Sequence, residues 1–202
     1  MKIYFTRHGE TLWNTLGKMQ GRQNSDLTEK GLSNAKKLGL ALNNIDFDVV
    51  YCSPSGRAIQ TATAIIGDRD IELIKNDNLL EMNFGIWEGM THDEVGELYP
   101  VEKHNFWNIP ENYETMGGET FEEILSRVRT FLTEIITNPN LETVLLVSHA
   151  ITTKTIYAVL NDCELSEFWN SPFVSDTCLS IVEIKDGQIS FLLECDTNHL
   201  NS

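Results

Sequence analysis

Short apolar runs and helical stripes take turns along the chain. Lys2-Ile3-Tyr4-Phe5-Thr6 is rich in β-branched and aromatic residues and reads as a short buried strand. Thr11 can cap a short helix over residues 11–16. After the polar stretch Met19-Gln20-Gly21-Arg22-Gln23-Asn24-Ser25, Thr28 caps a helix to about residue 43, with Leu32, Ala35, Leu38 and Leu42 on one face. Asp48-Val49-Val50-Tyr51-Cys52 is a second strand, and Pro54 and Ser55 open a helix with Ala58, Ile59, Ala62, Ile65 and Ile66 inward. Ile71-Glu72-Leu73-Ile74 is a short third strand, and Glu81 follows near a strand end. Thr120-Phe121-Glu122-Glu123 is a capping box for a helix to about residue 137, with Ile124, Val128, Phe131, Leu132 and Ile135 buried. Thr143-Val144-Leu145-Leu146-Val147 is the clearest buried strand, and a helix to about residue 160 follows it. The tail reads as a hairpin over residues 178–184 and 189–194 around Asp186-Gly187. Residues 84–118 are least regular and carry short helices near 91–99 and 101–107. Strand, helix, strand order implies right-handed parallel crossovers. The expected fold is α/β: a three-layer α/β/α sandwich around a mainly parallel sheet, with an antiparallel C-terminal element. It is expected as one domain over residues 1–202, with a lid-like segment at about 84–118.

Composition narrows the partners. With 202 residues, 41% hydrophobic and 22% charged, the chain can bury one sizeable core. It shows no apolar run of membrane-span length and no signal pattern near its start, so a cytoplasmic protein is expected. Cys52, Cys163, Cys178 and Cys195 form no CxxC pair and no His stands at ligand spacing, so reduced, mostly buried thiols and no metal or other cofactor are expected. A formal charge of −15 argues against nucleic acid or an anionic membrane as partner. Any anionic ligand then needs a local basic pocket, which makes the few arginines and histidines informative. A homodimer is left open.

Three predicted strands end in such residues. Arg7 and His8 follow the first strand, Arg57 stands in the first helical turn after the second, and His149 follows the strand ending at Val147. In open parallel sheets ligands bind beyond the carboxyl ends of the strands. Arg57 at a helix N-terminus is unfavourable alone, and a bound phosphate reverses that sign. Taken singly, each residue also fits a solvated surface position; their convergence on one sheet edge favours an anion site with His8 as nucleophile or base.

The motifs that carry these residues resemble the histidine phosphatase superfamily, with its phosphoglycerate mutase-like fold. They are Arg7-His8-Gly9-Glu10-Thr11-Leu12-Trp13-Asn14, Leu27-Thr28-Glu29-Lys30-Gly31, Ser53-Pro54-Ser55-Gly56-Arg57-Ala58, Glu81-Met82-Asn83-Phe84-Gly85-Ile86-Trp87-Glu88-Gly89, Gly117-Gly118-Glu119-Thr120 and Val147-Ser148-His149. They occur in the family's order over nearly the whole chain. The resemblance implies a metal-independent phosphatase for small phosphate monoesters, with no cofactor, acting through a phosphohistidine on His8. Arg7, Arg57 and His149 would hold the phosphoryl group, His149 adding charge. Asn14 and the Ala150 amide would add donors, Glu81 would be the acid and then the base, and Gln20, Gly21 and Arg22 would rim the site. Many relatives have glycine where Ala150 stands.

The resemblance also implies two alternatives: a cofactor-dependent phosphoglycerate mutase, and an inactive phospho-ligand-binding module, against which the intact set of Arg7, His8, Arg57, Glu81 and His149 argues. Residues 84–118 hold one Lys, seven acidic residues and six aromatics. A lid so acidic is expected to repel a second anionic group unless its carboxylates face solvent, while the aromatics offer an apolar wall. Trp87, Phe106 and Trp107 are nonetheless read first as core, and His92, His104 and His199 as solvated.

Overall fold

The computed structural model describes residues 1–201. Six strands form one sheet: β1 (Lys2–Arg7), β2 (Val49–Cys52), β3 (Leu73–Lys75), β4 (Thr143–Ser148), β5 (Leu179–Lys185) and β6 (Gln188–Asp196), in the order β3-β2-β4-β1-β5-β6. β1, β2, β3 and β4 pair in parallel, whereas β5 pairs antiparallel with both β1 and β6. β3 begins two residues later than the apolar run suggests, because its pairing with β2 starts at Leu73 opposite Val50.

The strand period divides the core. Ile3, Phe5, Val144 and Leu146 face one side, packed by α6 (Phe121–Ile136) and α7 (Ala150–Leu160). Tyr4, Val50, Cys52, Leu145 and Val147 face the other, under α2 (Glu29–Ala41) and α3 (Gly56–Ile66). Helices on both faces make the expected three layers. Leu32 departs from expectation and is 39% exposed. α2 turns Gly31, Ala35, Leu38 and Leu42 inward, because Gly31 packs on the Glu10 backbone where any Cβ would collide; Leu32 lies one residue round the helix.

Residues 84–118 form α4 (His92–Leu98), α5 (Pro100–Asn108) and 3-10 turns. They fold around Phe106, whose ring touches those of Phe84, Trp87, Trp107, Tyr113, Phe121 and Trp169. Edge-to-face aromatic packing of this kind compensates for the weak apolar periodicity of α4 and α5. α1 (Leu12–Thr15) is a single turn with the capping box Thr11–Asn14. Among the described residues no helix is long and apolar enough to cross a membrane.

Candidate active site

The carboxyl ends of β1, β2 and β4 lie side by side, and each delivers part of the site. His8 stands immediately after β1 and is 3% exposed; its Nδ1 lies 2.7 Å from the Gly9 carbonyl and donates to it, since that oxygen can only accept. Nε2 is then the nitrogen with the free lone pair. The His149 ring lies 5.2 Å away, centroid to centroid, at the N-cap of α7. Burial, then the charges of Arg57 and Arg7, hold His8 well below its ordinary pKa, with the Gly9 hydrogen bond opposing. Burial first, then Arg57, His8 and Arg7, do the same to His149. Both rings are therefore neutral at pH 7 before an anion arrives, and His149 does not then carry the charge expected of it. Ser53 Oγ accepts from the Ser55 amide and sits 2.8 Å from His149 Nε2 and 3.4 Å from Ser55 Oγ, either of which can take its hydrogen. With Ser53 donating to Nε2, the ring proton stands on His149 Nδ1.

Arg57 is 1% exposed. Its Nη1 and Nη2 donate to the carbonyls of Gln23 and Gly21 at 2.6 and 2.8 Å, and Arg7 Nη1 donates to the Val174 carbonyl at 3.1 Å. Burial brings the Arg57 pKa down to about 10, with Glu81 opposing and Arg7 assisting. Arg7 Nε, Arg57 Nε and His149 Nδ1 are buried without a protein partner. Two orphan guanidinium donors and an unpartnered imidazole nitrogen around His8 make a site for an oxyanion, since buried charge and unmet polar groups are costly otherwise.

The hydrogen bonds also orient the two amides. Asn14 Oδ1 accepts from the Thr11 amide and hydroxyl at 3.0 and 2.9 Å, which turns Asn14 Nδ2 toward the cavity as a donor. Because the Thr11 hydroxyl has spent its hydrogen, it accepts from Gln20 Nε2 at 2.8 Å. Gln20 Oε1 is then left as a buried acceptor without a protein partner.

Glu81 follows β3 by way of the 3-10 turn Asp77–Leu79 rather than ending a strand. Its Oε1 accepts from the Met82 and Thr152 amides and the Thr152 hydroxyl, and Oε2 only from the Ile151 amide. The N-terminus of α7 thus fixes Glu81 and leaves lone-pair capacity on Oε2. Arg22, expected at the rim, instead supports this loop: its Nε donates to the Glu81 carbonyl and its Nη2 to Glu119. Glu119 is clamped by Arg127 at 2.6 and 3.0 Å and accepts from the Asn83 amide. Burial pushes the Glu119 carboxyl up, but Arg127, Arg22 and that amide outweigh it and hold it below the usual range.

A cavity of about 280 Å³ opens from this pocket and is lined in part by Arg7, His8, Asn14, Gln20, Gly21, Arg57, Glu81 and Ala150. His149 adjoins it through His8, so the predicted site residues other than Arg22 meet at one place. The outer wall is Phe84, Phe106, Trp107, Trp169 and Phe173, with Lys18, His92 and Lys154. Trp87 is core as expected, but Phe106 serves both core and wall, and Trp107 and His92 reach the cavity rather than only packing or solvent. None of the seven acidic residues of 84–118 lines it, although Glu88 stands near enough to act on Arg57. Glu88 is turned to the Arg22, Gln23 and Phe84 amides instead. Lys154, Trp169, Phe173 and the Val174 carbonyl are contributions the sequence pattern did not single out. Among the described residues no group of three or more His, Cys, Asp or Glu side chains is placed to hold a metal ion.

The sequence and fold of this chain are similar to those of known proteins. The family model of the histidine phosphatase superfamily (branch 1) matches residues 3–197, and the chain belongs to that superfamily. It is 36% identical over 170 residues to phosphoserine phosphatase 1 of Hydrogenobacter thermophilus, covering 84% of this chain and 81% of that one. It is 32% identical over 193 residues to an adenosylcobalamin/alpha-ribazole phosphatase of Salmonella typhimurium, covering 93% and 92%. The solved structure of Bacillus stearothermophilus YhfR superposes with a TM-score of 0.94 at 37% identity, over 98% of both chains.

Proposed function

We propose that the protein is a phosphatase that hydrolyses small phosphate monoesters through a phosphohistidine on His8. The observation that carries this reading is the free Nε2 of His8, held by the Nδ1–Gly9 bond beside the orphan Nε donors of Arg7 and Arg57 and the unpartnered Nδ1 of His149. The ester phosphorus sits against Nε2 with its oxygens on Arg7, Arg57, Asn14, His149 Nδ1 and the Ala150 amide at the start of α7. The Nε2 lone pair forms the N–P bond as the P–O bond breaks, and Glu81 delivers a proton to the departing oxygen. Glu81, now a carboxylate, takes a proton from water as the water oxygen attacks phosphorus. The N–P bond breaks, and inorganic phosphate and neutral His8 result. The chain acts as one catalytic unit over 1–202, with 84–118 as the cover of the leaving-group side. The relatives named as phosphoserine and alpha-ribazole phosphatases support this class of reaction.

The test is His8→Ala with substrate labelled at phosphorus. Wild type is expected to trap acid-labile, alkali-stable label, and the variant to trap none, to turn over at background rate and to keep its fold by circular dichroism. An acid-stable adduct or undiminished activity in the variant would overturn the reading.

A further inference from the structure

The His149 ring has an unpartnered Nδ1 on one side and two serines on the other. Ser53 is fully buried just after β2, and its amide donates to the Val147 carbonyl at 3.0 Å, which ties it to the strand that delivers His149. Its Oγ lies 2.8 Å from His149 Nε2, and Ser55 Oγ lies 3.4 Å from both. Ser55 stands at the N-cap of α3, where a serine ordinarily accepts from an amide of the first turn, yet its side chain makes no such bond. Asn24 Oδ1 takes the Arg57 amide at 3.0 Å instead. The Ser55 hydroxyl is therefore left to Ser53 and His149, and Ser55 is only half-buried.

Two hydroxyls bring two hydrogens to this triangle. With Nε2 bare, Ser53 donates to it over 2.8 Å rather than to Ser55 Oγ over 3.4 Å, and the hydrogen of the neutral ring stands on Nδ1. With Nε2 protonated, Ser53 accepts from it and turns its own hydrogen to Ser55 Oγ, whose hydrogen turns to solvent. A carbonyl in the place of Ser53 could serve only a protonated nitrogen. His8 has such a partner in the Gly9 carbonyl and is thereby fixed in one tautomer, as a nucleophile needs.

We propose that Ser53 is a positioning residue for His149, its hydroxyl giving a hydrogen bond to Nε2 of the neutral ring and taking one from Nε2–H of the charged ring, so that Nδ1 presents an N–H to the phosphoryl group in both forms. In the free protein burial, then Arg57 of α3, His8 and Arg7 at the end of β1 and Arg127 of α6, all oppose protonation of the ring. A phosphoryl dianion held between the two arginines favours it. The ring then takes a proton from solvent and returns it when phosphate leaves, and Ser53 keeps Nε2 bonded throughout. This role deepens the phosphatase reading and rests on it wherever turnover is concerned; the hydrogens on the ring do not depend on it.

The experiment is nitrogen-15 NMR of the full chain labelled at histidine, with His149 assigned by the signals lost in His149→Gln. In free wild type at pH 7, a hydrogen is expected on Nδ1 and none on Nε2. Saturating inorganic phosphate should keep the Nδ1 hydrogen and, as pH is lowered, add one at Nε2. Ser53→Ala, checked for fold by circular dichroism, should move the neutral ring's hydrogen to Nε2, and Ser53→Thr, which keeps the hydroxyl, should return it to Nδ1. Ser53→Ala should also weaken phosphate binding and lower kcat/KM on a monoester by about tenfold to a thousandfold, as loss of a phosphoryl donor implies. Ser55→Ala should leave the free ring as in wild type but lower the pH at which the phosphate-bound ring is protonated by about one unit, the worth of one hydrogen bond. A bare Nδ1 in free wild type, or an unchanged tautomer in Ser53→Ala, overturns the role of Ser53. An unshifted titration in Ser55→Ala overturns the accepting half of it. If Ser53→Ala does not fold, the wild-type spectrum and Ser55→Ala still decide. If wild type hydrolyses no monoester, the phosphatase reading fails while the ring hydrogens still decide Ser53.

Discussion

Two neutral imidazoles between two guanidiniums make pH a lever on stability. His8 and His149 are both held well below the ordinary value of 6.5 in the fold, chiefly by burial and Arg57. On unfolding they regain that value, so below about pH 6.5 the unfolded chain takes up protons that the folded rings refuse. The stability they contribute is present above the unfolded pKa and is lost progressively as pH falls below it. Tm by calorimetry should therefore drop between about pH 7.5 and about pH 5.5, where ordinary carboxylates stay ionised. His92 and His199 are also depressed, by burial first, and add to the drop. Saturating vanadate or phosphate isolates the active-site share: an anion on His149 Nδ1 favours the protonated ring, so the drop should shrink. An equal slope with and without the anion would contradict this assignment. Glu81→Gln tests the acid. An alkoxide needs a proton to leave and a nitrophenolate hardly does, so alkyl esters should slow by roughly a hundredfold to ten-thousandfold, and aryl esters far less. Equal losses would move the role away from Glu81. Glu10 and Glu88 are poor substitutes: Glu10 is paired with Lys30 at 2.8 Å and Glu88 faces three loop amides.

At the scale of elements, the site depends on a loop held from two sides. The Gly21 and Gln23 carbonyls fix Arg57, while the Glu88 carboxylate holds the Arg22 and Gln23 amides. Gly21 has φ of 52°, and an added Cβ would run into Glu88 Oε1. Gly21→Ala should cost about 1–3 kcal/mol of stability by urea denaturation and raise KM as the Arg57 fork shifts. A variant with wild-type stability and KM would show that the loop is not what orients Arg57. The legible and illegible parts of the sequence divide along the same lines. β1, β2, β4, α2, α3 and α6 carry one strong period or cap each, so their limits and the convergence of Arg7, His8, Arg57 and His149 could be read from spacing and crossover handedness. α2 shows the limit of a face assignment, since Leu32 and Ala35 both suit the pattern and only the contact of Gly31 with Glu10 selects between rotations. The Arg22–Glu119–Arg127 cluster is set by partners far apart in sequence. The wall from Trp169 and Phe173 comes from and just beyond a 3-10 turn with no apolar period to expose it.

For the whole molecule, the proposed phosphohistidine raises the question whether its phosphoryl group would pass to water or to a second phosphorylated acid. A charge of −15 disfavours anionic ligands everywhere except where cations are gathered, so the cations beyond the phosphoryl pocket decide what is held there. In the cavity wall these are Lys18 and Lys154, with neutral His92 beside them. Lys154 has its three donors on the Ser171 carbonyl, the Ser171 hydroxyl and the Pro172 carbonyl, so it pins the turn that carries Phe173 and Val174. Lys18 lies 5.5 Å from the Trp13 ring centroid. Neither is a guanidinium fork, and Arg22 is committed to the Glu81 carbonyl and Glu119. A carboxylated phosphoglycerate would therefore be gripped weakly while the phosphohistidine waits, whereas the aromatic wall offers apolar surface to a neutral leaving group. Net phosphate release should outrun formation of 2-phosphoglycerate from 3-phosphoglycerate in parallel coupled assays with bisphosphoglycerate primer. Within an ester panel, neutral or partly apolar leaving groups should be preferred to carboxylated ones. Phe173, 82% exposed, can be changed to Ala without opening the core, and that variant should lose several-fold in kcat/KM on aryl esters and little on glycerol phosphates. Mutase turnover well above hydrolysis would reverse this conclusion and would require Lys154 to leave Ser171 and Pro172 for the substrate carboxylate, which Lys154→Met would then abolish.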